Sequence, residues 1–146
     1  MRALVQRVSS AEVRVDGERI AHIGEGLLVL LGVTHDDRYA QAEQLARKVL
    51  ALRVFEDDRG RMNEPLGKRE ILCVSQFTLY GDSTRGNRPN FAAAAPAEHA
   101  LELYESFCAA TACKHGKFGA HMQVELINDG PVTLLLEARA DASAST

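Results

Sequence analysis

Apolar and polar positions divide this chain into short segments of two different periods. Ala3 to Val8 reads as a first strand, and Glu12-Val13-Arg14-Val15 alternates as a half-buried strand does. Asp16-Gly17 follows as a hairpin turn, with Glu18 to Ile23 as the return arm. Gly26 to Val33 is apolar throughout, the pattern of a strand covered on both faces. The period then changes. Tyr39, Ala42, Leu45, Ala46 and Val49 recur at helical spacing, with Arg38, Gln41, Arg47 and Lys48 outside that stripe. Thr34 to Asp37 offers capping oxygens in front of that helix. Val54-Phe55 opens a short strand, and Glu56 to Gly60 reads as a turn. Glu70 to Phe77 contains the buried strand Ile71-Leu72-Cys73-Val74. A polar loop covers Tyr80 to Pro89. Pro96 then begins a helix whose face is Ala97, Ala100, Leu101, Tyr104, Phe107 and Cys108. Met122 to Ile127 and Val132 to Ala138 read as the last two strands, joined through Gly130-Pro131.

Composition narrows this to one domain. At 146 residues, 46% hydrophobic and 25% charged, the chain supports one core and no comfortable second one. Residues 1–140 are expected to form the domain, and 141–146 a polar tail. A net charge of −3 does not advertise nucleic-acid binding, so any RNA contact must be local. Arg85, Arg88, Lys114 and Lys117 are the candidates, each otherwise an ordinary solvated loop charge. No signal peptide is read, because Arg2 and Arg7 interrupt the start. The longest apolar run, Leu27 to Leu31, is too short to span a membrane. A cytoplasmic protein without membrane contact is expected. Three cysteines form no disulfide framework, and Cys73 and Cys108 read as buried small hydrophobes.

The candidate chemistry is notable for lacking a base. Ser75-Gln76-Phe77-Thr78 ends an apolar strand with two hydroxyls, yet a neutral Ser or Thr needs an activating partner. No His, Asp, Glu or Lys lies within the motif, and the glycines of a nucleophile elbow are absent. The alternative role is electrostatic, with the N–H groups of Phe77 and Thr78 facing a developing oxyanion. Gly24, Gly26 and Gly32 bracket a strand and do not precede a helix, so they make no phosphate loop. Asp57-Asp58 lacks calcium-loop spacing, and Cys113, His115 and His121 match no zinc cluster, so neither metal nor cofactor is expected. His99 reads as a surface helix residue. Gly130-Pro131 reads from sequence alone as a hairpin turn with a trans bond, since only roughly 5–6% of X–Pro bonds are cis.

Met1-Arg2-Ala3, Gln6-Arg7-Val8, Arg61-Met62-Asn63, Ser75 to Leu79, Phe118-Gly119-Ala120 and Asn128 to Thr133 occur in an order that resembles the D-aminoacyl-tRNA deacylases. The resemblance covers nearly the whole chain. It implies a single compact α+β domain of β2-(βα)2-β3 type, with layered sheets and two helices, working as a homodimer on aminoacyl-tRNA and not on DNA. It implies that Phe77 supplies an oxyanion donor through its main chain, with Ser75, Gln76 and Thr78 shaping the site. It implies a cis Gly130-Pro131 pair inserted into the partner subunit's pocket, its parallel carbonyls excluding L side chains. Val132 and Thr133 anchor that pair, and Arg7 fixes its orientation. Glycine escapes such exclusion, which matches the family's action on glycine mischarged on alanine tRNA. The terminal 2′-hydroxyl of the tRNA assists hydrolysis in that family. His121 stands where the family commonly has an acid, and Glu64-Pro65 departs from the usual residues after Met-Asn. Two other readings stay open: a Ser/Thr-nucleophile esterase for small esters, and a non-catalytic tRNA-binding module.

Overall fold

The computed structural model describes residues 1–141; the remainder of the expected tail, from 142 on, lies outside the described residues. The two strands expected at the start are one. β1 spans Arg2–Val15, and its first half pairs antiparallel with β3 (Gly26–Gly32). Its second half pairs with β2 (Glu18–Ile23) across the Asp16-Gly17 turn, where Asp16 and Gly17 both take positive φ. No break is needed between the halves, because Ser9-Ser10 is compatible with extended chain and Ser10 pairs with Ile127 of the last strand.

β3 pairs in parallel with β6 (Glu70–Ser75), which in turn pairs with the short β7 (Lys114–His115). β4 (Phe55–Glu56) and β5 (Met62–Glu64) form a separate small hairpin around the expected turn. Asp57 closes that turn, its carboxylate accepting from the N–H groups of Arg61 and then Arg59, which holds its pKa low. β8 (Gln123–Glu137) runs antiparallel to the full length of β1. The sheet order is therefore β2-β1-β3-β6-β7, with β8 on the other side of β1. The Lys114 ammonium donates to the carbonyl of His22, drawing β7 toward β2.

Period two explains why both faces of β3 are buried. Leu27, Val29 and Leu31 face α1 (Tyr39–Ala51) and α2 (Ala97–Thr111), joining Leu45, Val49, Leu103 and Phe107 in one cluster. Leu28 points the other way, into a second cluster with Val8, Val13, Ile23, Leu72 and Val74. Burying a side chain of this size contributes about 1.5–3 kcal/mol.

The helix edges differ from expectation in instructive ways. Tyr39 is exposed and Gln41 is buried, because the Gln41 amide oxygen accepts from the N–H of Arg38 and closes the first turn. Asp37 caps nothing in α1. Its carboxylate instead accepts from the Met1 ammonium at 2.7 Å and from the Thr34 N–H at 2.8 Å. His99 is half-buried, a ring nitrogen lying 2.7 Å from the Asp37 carbonyl.

Candidate active site

β6 delivers Ser75 to the edge of a cavity and then turns sharply. The Gln76 N–H still donates to the carbonyl of Leu31 at 2.8 Å, after which Phe77–Tyr80 forms a 3-10 turn. Gly32 makes that close approach possible. A Cβ there would lie 3.0 Å from Leu79 Cβ and 3.1 Å from the Gln76 carbonyl oxygen. The first N–H groups of any such turn lack partners within it. Those of Phe77 and Thr78 have no protein acceptor among the described residues. The Gln76 amide donates to the Thr78 hydroxyl. Phe77 is 55% exposed and stands edge-on to Phe91, with ring centroids 5.1 Å apart.

The cavity holds about 530 Å³. Ser75, Gln76 and Phe77 border it on one side, and the Phe118–Met122 segment on the other. Small residues of the α2 start, Ala95, Ala97 and Ala100, complete the wall. Ala95 is held there by donating its N–H to the carbonyl of Val33 at 2.9 Å. Among the described residues the lining contains one ionisable side chain, His121, and no carboxylate or amine. Thr78 stands behind the edge, joined to Gln76, and does not line the space. Neither Ser75 nor Thr78 hydrogen-bonds to His, Asp, Glu or Lys among the described residues. The arrangement provides donors and shape, and no activated hydroxyl.

Gly130-Pro131 is a cis peptide bond, and it does not join two strands in a hairpin. Both flanking segments pair with β1 in the same direction: Thr133 to Glu137 opposite Gln6 to Arg2, and Gln123 to Asn128 opposite Arg14 to Val8. The residues between bulge out of one continuous strand. The hairpin expectation failed because the sequence shows a turn signal without showing which neighbour each arm pairs with. Gly130 sits at φ +130°, where a Cβ would lie 2.8 Å from Val132 Cγ2 and 2.9 Å from Arg7 Nη2.

Arg7 braces this bulge from below. It is 7% exposed and occupies the register shift between Gln6 and Val8. Its Nε donates to the Asp129 carbonyl at 3.0 Å and its Nη1 to the Val54 carbonyl at 2.7 Å. With β1 flanked on both sides, Arg7 is no strand-edge charge. Asn128, to which the sequence reading assigned no role, closes the bulge. Its amide oxygen accepts from the Val132 N–H at 3.2 Å, and its Nδ2 donates to the Thr133 hydroxyl at 3.0 Å. An Asn immediately before Asp-Gly is the local signal that points to it.

Within one chain these two motifs stay apart. Arg7, Asp129 and Gly130 border a different cavity, with Glu25, Phe55 and Arg69. The strand order places β3 and β1 between β6 and β8, a separation of roughly 14 Å at ordinary strand spacing.

The basic residues divide as well. Arg85 and Arg88 lie on an exposed loop whose base is fastened by the Asp82–Asn90 bridge and by Phe91 against Phe77. Lys114 pairs with Glu70 at 2.9 Å, and Lys117 is exposed beside Phe118. Cys73 is buried in the core and Cys108 packs half-buried against it, as small hydrophobes do. The fold brings Cys73, Cys108 and Cys113 together, with all three sulfur atoms within 4.8 Å of one another. Hydrogen bonds from Cys108 and then Cys73 hold the Cys113 thiol well below its ordinary pKa, while burial pushes Cys73 up. Proximity between residues so far apart in the chain leaves no spacing signature, which is why the sequence did not reveal it.

Comparison with known proteins agrees with these motifs. Residues 4–137 match the family model for D-Tyr-tRNA(Tyr) deacylase. A D-aminoacyl-tRNA deacylase of Anaeromyxobacter dehalogenans is 55% identical over 95% of this chain and 98% of its own length. One from Desulfatibacillum aliphaticivorans is 51% identical over 95% of this chain and all of its own. Among solved structures, one described as a c-Myc DNA unwinding element binding protein superposes with a TM-score of 0.90 at 47% identity, covering 96% of this chain and 100% of its own. A probable eukaryotic D-amino acid tRNA deacylase shares the fold alone, with a TM-score of 0.79 at 15% identity over 92% of this chain and 97% of its own. With its motifs, fold and near-complete coverage in agreement, the chain belongs to the D-Tyr-tRNA(Tyr) deacylase family.

Proposed function

We propose that this protein hydrolyses the ester bond of D-aminoacyl-tRNA in the cytoplasm, as a homodimer whose pockets are completed across the two-fold axis. Its family membership supports the reaction. The observation that carries the architecture is the separation of the two motifs: an unprotected pair of N–H groups beside one cavity, and an exposed, braced Gly130-Pro131 on the far side of β1. Each lacks what the other supplies. β8 has no second strand partner among the described residues, and it exposes Ile127 and Leu135, each 60% accessible. A second copy of the chain covers such an edge.

In this reading the aminoacyl ester enters the cavity with its carbonyl oxygen toward Phe77 N–H and Thr78 N–H. Charge that develops on that oxygen meets donors already in place, an effect worth on the order of 10²–10³ in rate per donor. The partner subunit's Gly130-Pro131 carbonyls form the wall against which an L side chain collides, while a D side chain points to open space. Glycine on alanine tRNA passes because it has no side chain to collide. The tRNA terminal 2′-hydroxyl assists the attacking water, consistent with a lining that contains no carboxylate or amine. Arg85 and Arg88 contact phosphate, so affinity falls as salt rises, and each Arg→Ala change lowers the salt slope by about 1.

The decisive assay compares D-, L- and glycyl-tRNA, each with an intact or 2′-deoxy terminal ribose. Release of the D and glycyl residues only, and only with the hydroxyl present, is the expected result. Full activity on 2′-deoxy ends, together with loss on Ser75→Ala, supports a hydroxyl nucleophile and overturns the mechanism. Binding without release from any of the three identifies a non-catalytic RNA-binding module.

A further inference from the structure

The cluster of Cys73, Cys108 and Cys113 lies outside the catalytic reading, and three features build it. Cys73 is fully buried on β6, and its carbonyl is fixed by the Tyr104 hydroxyl at 3.2 Å and the Gly116 N–H at 3.0 Å. Cys108 is in the last turns of α2. Ala112 then takes a left-handed conformation at φ 51°, unusual for a residue with a Cβ, and turns the chain back so that Cys113 donates its N–H to the Cys108 carbonyl. The result is a triangle of free thiols with no sulfur more than 4.8 Å from another.

That triangle is close to the size a metal ion requires. Zinc–thiolate bonds of about 2.3 Å place sulfurs roughly 3.8 Å apart in tetrahedral geometry. The site is also reachable. Cys108 and Cys113 border an open groove of about 680 Å³, with His115, Lys117 and Phe118 beside them. Soft sulfur ligands select closed-shell thiophilic cations over magnesium or calcium.

We propose that Cys73, Cys108 and Cys113 form a three-thiolate site for a thiophilic d10 cation of the zinc(II) or copper(I) type, its remaining position open to the groove. Binding replaces thiol protons, which pass to solvent. The ion ties the end of α2 and the residues after it to β6. Those residues continue into Phe118–Met122, which lines the candidate cavity, and β6 ends at Ser75. The site is therefore a clamp behind the pocket wall and takes no part in hydrolysis.

The test uses the full-length, reduced protein under anaerobic conditions. Cobalt(II) serves as the spectroscopic probe for zinc. One equivalent per chain is expected, with sulfur-to-metal charge-transfer absorption, displacement by zinc and a raised Tm. A copper(I) titration against a chromophoric chelator distinguishes the two cations. Cys113→Ala and Cys108→Ala, both at half-buried positions, each remove a direct ligand and are expected to weaken binding by more than the roughly 10–100-fold that follows loss of an outer-shell partner. Should Cys73→Ala fail to fold, those two variants carry the test. No saturable binding of either ion to the wild type overturns the proposal. So does binding without charge-transfer absorption, or binding that both variants retain. These readouts contain no tRNA, so their failure is separate from any failure of the deacylase reading.

Discussion

The two halves of the proposed site are held by opposite means. The Phe77 turn is positioned by main chain and close packing: Gln76 N–H on the Leu31 carbonyl, with Gly32 beneath it. The Gly130-Pro131 bulge is positioned by side chains that reach it from a distance, Arg7 from β1 and Asn128 from its own flank. Substitution at a single side chain therefore disturbs the first through steric intrusion and the second through lost hydrogen bonds. Under the proposed mechanism the first carries rate, and the second carries discrimination between enantiomers.

The sharpest test of that division is Gly32→Val. Even a methyl there meets Leu79 and Gln76, so a branched side chain shifts the donors. We expect single-turnover hydrolysis of D-aminoacyl-tRNA to fall on the order of 10²–10³, as for loss of an oxyanion donor. The ratio of D to L rates falls far less. Retained far-UV circular dichroism shows that the fold survives. Arg7→Ala is the converse. It leaves the Asp129 and Val54 carbonyls without their donor, costing about 1–3 kcal/mol for the buried Val54 carbonyl and less for Asp129, which is exposed. The expected readouts are a lower denaturation midpoint and a narrowed D/L ratio. Arg7→Lys restores charge without the fork geometry and recovers only part of the ratio. If Arg7→Ala lowers D and L rates equally, the assignment of discrimination to the bulge fails.

Asn128→Ala removes one local closure, so a smaller effect is expected, about 1 kcal/mol in stability and a modest loss of discrimination. The smallest effect concerns Arg2, which ties the Phe77 turn to the end of β8. Its guanidinium donates to the Leu79 carbonyl at 2.8 Å and to Glu137 at 2.9 Å. The hydrogen bond from Arg2, followed by one from Arg139, lowers the Glu137 pKa from 4.5. A lowered folded-state value contributes stability above pH 4.5 that is lost as pH falls through the folded pKa. The stability difference between wild type and Glu137→Gln should be fully present above pH 4.5 and shrink as pH falls below it, as followed by urea midpoints. It is slight because the pair is solvent-exposed.

Much of this was legible in the chain because it depended on local period. Gly26 to Gly32 is buried on both faces as its unbroken apolar run requires, and the α2 stripe contributes Ala100, Tyr104 and Phe107 to the core. Ser75 and Phe77 meet the cavity because a parallel strand ends there. What stayed hidden depended on partners distant in sequence. Continuity of β8 is decided by β1, a pairing across more than a hundred residues. Burial of Gln41 follows from one hydrogen bond to Arg38, which outweighs its polarity. Asp37 looked like a helix cap because the Met1 ammonium it clasps is adjacent only in space.

The bulge in β8 has a consequence for solubility. A long, uninterrupted border of free N–H and C=O groups is a template on which foreign chains add indefinitely. Here the kink at 129–132 cuts the ladder into two lengths, 123–128 and 133–137, and throws its centre outward. No straight strand can zip along both. A chain presenting this edge is thereby guarded against fibrous growth by the same few residues proposed above as the pocket's wall.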